Sequence, residues 1–267
     1  MKVLFYPNEL DPRALAARER LERMALERGF AAVREGRADI TIALGGDGTI
    51  LRAVRAQPRS AMLGFNMGSL GYLASVGEDG FEKALDMLAA GRYRIVTRSL
   101  IEASLAGARA KKAIALNEIV LMREMTGHAA CLDLAADSRR VTRYSADGLV
   151  IATPTGSTAY SLAAGGPVLM PDTGCFVVTP MNPHALGIRP LVVGDAVKLS
   201  VTTRRRVNGK AEKIGVYADG EQVMILDCDE TLVVKKARVA ARFVELEGYN
   251  AFDVLSRKLG WSGSSAK

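Results

Sequence analysis

The chain has 267 residues, with 49% hydrophobic and 24% charged side chains and a net charge of +7. That is enough chain for one large domain or two modest ones with a real core, and the balance argues against intrinsic disorder. The longest uncharged stretch, residues 149–170, is broken by prolines, glycines and hydroxyls and makes a poor membrane helix. The first residues turn polar too soon for a signal peptide, so a cytoplasmic protein is expected.

The positive charge raises nucleic acid as a partner. Its excess is spread as +3, +1 and +3 over residues 1–100, 101–200 and 201–267. Only Arg204, Arg205 and Arg206 with Lys210 and Lys213 are concentrated, on what reads as a hairpin tip. With 6% aromatics the expectation is no nucleic acid and no membrane, and a field suited to small polyanions such as nucleotides. Cys131, Cys175 and Cys228 are odd in number and far apart. They read as buried reduced thiols, not a disulfide set or a zinc site.

In chain order, Lys2–Phe5 is a short strand, and 13–28 an amphipathic helix with Leu15, Leu21, Met24 and Leu26 among charges and Gly29 as its stop. Asp39–Leu44 is a strand, 50–56 a helix, 61–66 a third strand and 79–90 a helix with Phe81, Leu85 and Leu88 on one side. This rhythm predicts an α/β domain over 1–92 with an open, mostly parallel sheet. From Tyr93 the runs are short, β-branched and separated by turn residues: 114–122, 131–136, 149–153, 175–179, 196–201, 215–218 and 231–246. They predict a β-rich domain over 93–249. The final helix, 251–259, is expected to pack back onto the first domain with the chain over 250–267, and Gly263-Ser264-Ser265 reads as a frayed tail.

The second strand runs into Gly45-Gly46-Asp47-Gly48-Thr49. Glycines at the carboxyl end of a strand let the backbone approach a ligand, and their N–H groups, with a helix starting just after, can hold phosphate oxygens. A carboxylate beside phosphates is costly unless it has a role. It can hold a divalent cation, or it can take a proton from an attacking hydroxyl. The bland alternative is a tight turn with a solvated Asp. A P-loop, a GxGxxG fingerprint, a GxSxG elbow and the protein-kinase set are all absent, and the next Gly-rich turn, residues 64–71, has another spacing.

Residues 147–161 deliver an apolar strand into small and hydroxyl side chains, with Ser157 as an N-cap for a short helix over 158–163. Small side chains admit a planar ring, Thr and Ser offer hydrogen bonds, and Tyr160 can stack; a Ser/Thr-rich turn before a buried helix is the plainer reading. Asn117-Glu118 lies inside an apolar strand over 113–122, where a buried Glu needs partners such as a ribose diol, unless it sits at a strand end in solvent. His128 and His184 read as turn and loop residues, with no triad and no metal set around them.

In this order along the chain, Gly45–Thr49, the Asn66-x-Gly68-x-x-Gly71 turn, Asn117-Glu118, Asp147-Gly148 and Thr153–Tyr160 resemble the NAD kinase family over about residues 39–260. Gly-Gly-Asp-Gly alone is shared with lipid and sugar kinases; the Thr-Pro-Thr-Gly-Ser-Thr-Ala-Tyr run is the specific part. The resemblance implies transfer of the γ-phosphoryl of ATP, or a phosphoryl from polyphosphate, to the 2′-hydroxyl of the adenosine ribose of NAD, giving NADP. It implies Asp47 as general base near a Mg²⁺ or other divalent cation, without a dedicated protein cage. Gly45, Gly46, Gly48, Thr49 and Arg52 would serve the phosphates. Asn117, Glu118, Asp147, Thr158, Ala159, Tyr160, Ser161, Leu162 and Ala163 would hold NAD, with Asp47, Gly48, Tyr72, His128 and Glu221 as further contacts. It also implies a homodimer or homotetramer. Ser69, Ser145 and Ala163 depart from the family pattern at positions that bear on affinity and donor preference. Competing readings are a lipid or sugar kinase, indifferent to NAD, and a nucleotide sensor without turnover.

Overall fold

A computed structural model describes residues 1–68, 71–74, 76–107, 112–124, 128–205 and 213–261. Ser69, Leu70, Arg206, Lys210 and Gly263 to Ser265 lie outside them. The chain forms two compact units: Met1–Thr97 together with the chain from Ala241, and Arg98–Ala240.

The first unit begins with β1 (Lys2–Pro7), α1 (Pro12–Glu27), β2 (Ala31–Val33), β3 (Ile40–Leu44), α2 (Asp47–Ala56) and β4 (Ala61–Phe65). After a short 3-10 turn come α3 (Phe81–Ala89) and β5 (Tyr93–Leu105), which crosses into the second unit. Asp11 caps α1 by accepting the Arg13 N–H, with Pro12 in the first turn. Its buried stripe is Ala14, Ala17, Leu21 and Ala25, spaced by three or four residues. Leu15 and Leu26, expected on the inner face, are exposed because that spacing turns them outward. Gly29, with φ +77°, ends the helix as expected.

The second unit holds β6 (Lys112–Ala115), β7 (Glu118–Arg123), β8 (Ala130–Ala136), β9 (Arg139–Ala146) and β10 (Gly148–Ala152). A 3-10 turn (Thr155–Thr158) and α4 (Tyr160–Ala163) follow, then β11 (Cys175–Met181), β12 (Leu191–Gly194), β13 (Leu199–Thr203), β14 (Ile214–Ala218) and β15 (Glu221–Leu226). β16 (Thr231–Leu246) leads back to the first unit, where α5 (Ala251–Leu259) follows it.

In the first unit β2-β1-β3-β4 and the end of β16 form a parallel sheet. Ile42, Leu44, Leu63 and Phe65 of that sheet share a core with Leu21 of α1 and Phe81 and Leu85 of α3. In the second unit, antiparallel β12-β11-β10-β7-β14-β15 and a sheet containing β13, β8 and β9 bury one core between them. Strand alternation builds that core: Leu132, Leu134, Leu149, Ile151, Phe176 and Val178 all face it. The opposite residues of the first sheet, Val120, Val150, Ala152 and Val177, are covered by Ala164 and Leu169 from the segment after β10. Burial on both faces explains why β10 is a continuous apolar run.

Four sequence expectations change. The cysteines are free thiols but only partly buried; in β8, Cys131 alternates with the core residue Leu132 and so faces away from the core. The single strand expected over 113–122 is broken between β6 and β7, at Leu116 and Asn117. The basic run after Thr203 passes through 206–212, outside the described residues; the strands on either side do not pair as a hairpin, because β13 pairs with β16 and β8 whereas β14 pairs with β15 and β7, in the other sheet. Ser157 does not cap a helix over 158–163: its hydroxyl donates to the Pro154 carbonyl and accepts the Leu169 N–H, tying two loop segments together.

Candidate active-site residues

In the first unit, β3 ends at Leu44 and Asp47 is the first residue of α2. Gly46 is the N-cap and offers no side chain, and a Cβ at Gly46 or Gly48 would point into open space. The turn therefore leaves room and helix-start N–H groups for an anion. Thr49 is buried. Arg52, one turn on, donates to Asn8 Oδ1 at 3.1 Å and to Thr49 Oγ1 at 3.4 Å, which holds its guanidinium beside the loop.

The Asp47 carboxylate is gripped by a backbone turn 25 residues away. Its Oδ2 accepts the Tyr72 N–H at 2.9 Å, and its Oδ1 accepts those of Leu73 and Ala74 at 3.0 Å each. A Cβ on Gly71 would collide with Oδ1, so the turn approaches only because Gly71 has none. Asp47 Oδ2, with a single N–H, keeps acceptor capacity that Oδ1 has used. Burial, and then the charge of Asp47, pushes the Tyr72 hydroxyl pKa up.

In the second unit the break between β6 and β7 has a cause. The Asp219 carboxylate accepts the N–H groups of Leu116 (2.9 Å), Asn117 (2.7 Å) and Glu118 (3.3 Å), so these donors leave the ladder. Asp219 and Gly220 both take positive φ in the tight turn joining β14 to β15. Glu118 is buried, and its Oε2 has no hydrogen-bond partner. Burial, then the neighbouring Asp219 charge, raises its pKa to about 7, against the pull of the Tyr160 N–H. The Asn117 carbonyl accepts the Thr153 N–H, and the Thr153 hydroxyl donates to the Leu116 carbonyl. Gly156 lies against the Asn117 backbone, where any Cβ would collide.

A cleft of about 420 Å³ is lined by Asp147, Tyr160 and Ala163 with Arg123, Glu124 and Asn182. Asp147 binds Arg123 Nη2 at 2.8 Å through Oδ1 and accepts Asn182 Nδ2 at 2.9 Å through Oδ2. Asp147, Tyr160 and Ala163 thus share one cleft, and Glu118 reaches Tyr160 through the Tyr160 N–H; Asn117 is not among the residues lining it. The Ser161 hydroxyl is buried against Thr179 at 2.8 Å, and the Thr158 hydroxyl donates to the Thr155 carbonyl. Ala159 precedes α4, and Leu162 lies within it. His128 is exposed, and its carbonyl accepts from Arg123. Glu221 is exposed at the start of β15. Sequence reasoning had missed Asp219, Arg123 and Asn182; only Asp219 carried a signal, in its Asp-Gly hairpin dipeptide.

A glycine-framed carboxylate opening a helix is the arrangement of several classes of phosphotransferase. The ATP-NAD kinase N-terminal domain matches residues 6–93, and the ATP-NAD kinase C-terminal domain matches 116–246. An NAD kinase of Symbiobacterium thermophilum is 40% identical over 84% of this chain and 79% of its own. One from Gemmatimonas aurantiaca is 37% identical over 95% and 88%. The chain belongs to the NAD kinase family. Among solved structures, an NAD kinase from Archaeoglobus fulgidus in complex with ATP aligns with a TM-score of 0.80 at 26% identity, over 98% of this chain and all of the other. Yeast NADH kinase complexed with NADH shares the fold, at 0.85 and 23% identity over 99% and 88%.

Proposed function

We propose that this member of the NAD kinase family moves the γ-phosphoryl of ATP to the 2′-hydroxyl of the adenosine ribose of NAD, giving NADP, with Asp47 as general base. The observation that carries the base assignment is the grip of three backbone N–H groups on the Asp47 carboxylate. It fixes the carboxylate while Oδ2 keeps a lone pair for the 2′-hydroxyl proton. Gly45, Gly46, Gly48, Thr49 and Arg52 receive the phosphates, and Asn117, Glu118, Asp147 and Tyr160 hold NAD. The ATP bound by the Archaeoglobus fulgidus enzyme supports ATP as donor.

Among the described residues no three His, Cys, Asp or Glu side chains gather to hold a metal ion. A Mg²⁺ ion would be held chiefly by the ATP phosphates, with Asp47 as the nearby carboxylate, and would neutralise charge on the transferring group. No helix among the described residues is long and apolar enough to cross a membrane. A cytoplasmic homodimer or homotetramer completes the reading; exposed Val223 and Ile225 on the edge strand β15 support self-association.

The test is incubation with NAD, ATP and Mg²⁺, with NADP read by an NADP-specific dehydrogenase. Asp47→Asn is expected to lower kcat by about 10²- to 10⁴-fold while calorimetry shows NAD still bound. Wild-type turnover in that variant refutes the base assignment. NADP formed only with polyphosphate refutes ATP as donor.

A further inference from the structure

The turn that grips Asp47 is itself held from two sides. On one side, Gly64 of β4 lies so close that a Cβ there would meet the Leu73 and Ala74 backbone. The Gly71 N–H donates to the Ala74 carbonyl at 3.2 Å, which closes the turn on itself. On the other side, the Tyr72 ring carries the Lys258 ammonium of α5, 5.4 Å from its centroid. Tyr72 also supplies the N–H to Asp47 Oδ2, the oxygen with capacity to spare.

We propose that Lys258 is a positioning residue for phosphoryl transfer: held over the Tyr72 ring, it fixes the 71–74 turn and, through it, the carboxylate of Asp47. The inference rests on Asp47 being the general base. The contact links the C-terminal helix to a carboxylate more than 200 residues earlier in the chain. A base delivers its rate only when its oxygen is aligned with the proton it takes, and misplacement by about 1 Å costs on the order of 10²-fold. Lys258 is not the main anchor of α5. The helix is capped by Asn250, ends at Gly260 in the left-handed region and is anchored by buried Val254 and Leu255, whereas Lys258 is exposed. Its loss therefore loosens the turn and leaves the fold.

The experiment compares kcat, and KM for NAD and ATP, in wild type, Lys258→Met, Lys258→Arg and Asp47→Asn. A cation over a ring at an exposed site predicts a fall in kcat of about three-fold for Lys258→Met, with both KM values and the melting temperature unchanged. Lys258→Arg restores kcat, because a guanidinium also sits over an aromatic face. Gly71→Ala, which strikes the same carboxylate directly, lowers kcat by on the order of 10²-fold. Wild-type kcat in Lys258→Met beside an inactive Asp47→Asn overturns the inference and spares the base assignment. A raised KM with unchanged kcat also overturns it, since Lys258 would then be a binding group. Full activity in Asp47→Asn refutes the base itself.

Discussion

Asp47 and Glu118 show two ways of placing a carboxylate. Asp47 opens a helix and receives three backbone N–H groups. Glu118 lies at the start of a buried strand, receives one N–H, faces the like charge of Asp219 and keeps one oxygen without a partner. The three N–H groups of residues 116–118 go to Asp219 instead. Backbone donors fix a charge in the first case; in the second they have been spent on a neighbour. A fixed acceptor suits proton abstraction, and an unsatisfied buried oxygen suits a site that a ligand's hydroxyl completes.

The sharpest way to break the second arrangement is Gly156→Ala. The new Cβ would meet the Asn117 carbonyl, which is backbone and cannot swing aside as a side chain would. Asn117 cannot retreat, because its carbonyl accepts the Thr153 N–H and its own N–H goes to Asp219. Urea unfolding is expected to show a loss of on the order of 3 kcal/mol. A change below about 0.5 kcal/mol would show that the Asn117 turn is not held as tightly as its contacts imply.

Glu118→Gln sharpens the contrast with a pH profile. An acid whose folded pKa is raised to about 7, from an ordinary 4.5, binds its proton more tightly in the folded state. Its contribution to stability is full below about pH 4.5 and is lost as pH rises through about 7, worth about 3 kcal/mol across that window. Stability measured by chemical denaturation from about pH 5 to about pH 8 should fall more steeply in wild type than in Glu118→Gln. Equal slopes would mean that burial and Asp219 do not hold the proton on Glu118.

The two carboxylates were unequally legible in the sequence. Asp47 stood out because strand, glycines and helix are contiguous, and local chemistry alone makes a phosphate loop there. Its grip by residues 72–74 was not legible: the three donors are backbone groups, and backbone N–H carries no side-chain signature. Asn117-Glu118 was noticeable as polar within an apolar run, yet the run reads as one strand. The agent that breaks it, Asp219, lies about 100 residues away. Ser157 failed as a helix cap for a related reason, since its hydroxyl serves a distant loop at Leu169. The α/β-then-β organisation was legible throughout, because helical periodicity and short β-branched runs bounded by turn residues are local properties of each element.

Asp133 offers the control for both sites, a carboxylate whose donors are side chains in solvent. It alternates outward on β8, where Arg143 Nε donates at 2.6 Å and Arg204 Nε at 2.9 Å; Arg204 also reaches Asp229. The two guanidinium groups, Arg143 foremost, pull its pKa down to about 2. A depressed acid stabilises the fold above its ordinary pKa of 3.8, and the benefit is lost as pH falls through about 2. The size should nevertheless be small. The side chains of Arg143 and Arg204 are 52% and 41% exposed, and ion pairs in water are screened and entropically costly. Asp133→Ala is therefore expected to cost less than about 1 kcal/mol near neutral pH, and less still in high salt. A loss as large as that of Gly156→Ala would mean that partner number alone decides what a carboxylate contributes. A small one means that exclusion of water sets the scale, and places the buried Glu118 on the other side of that divide.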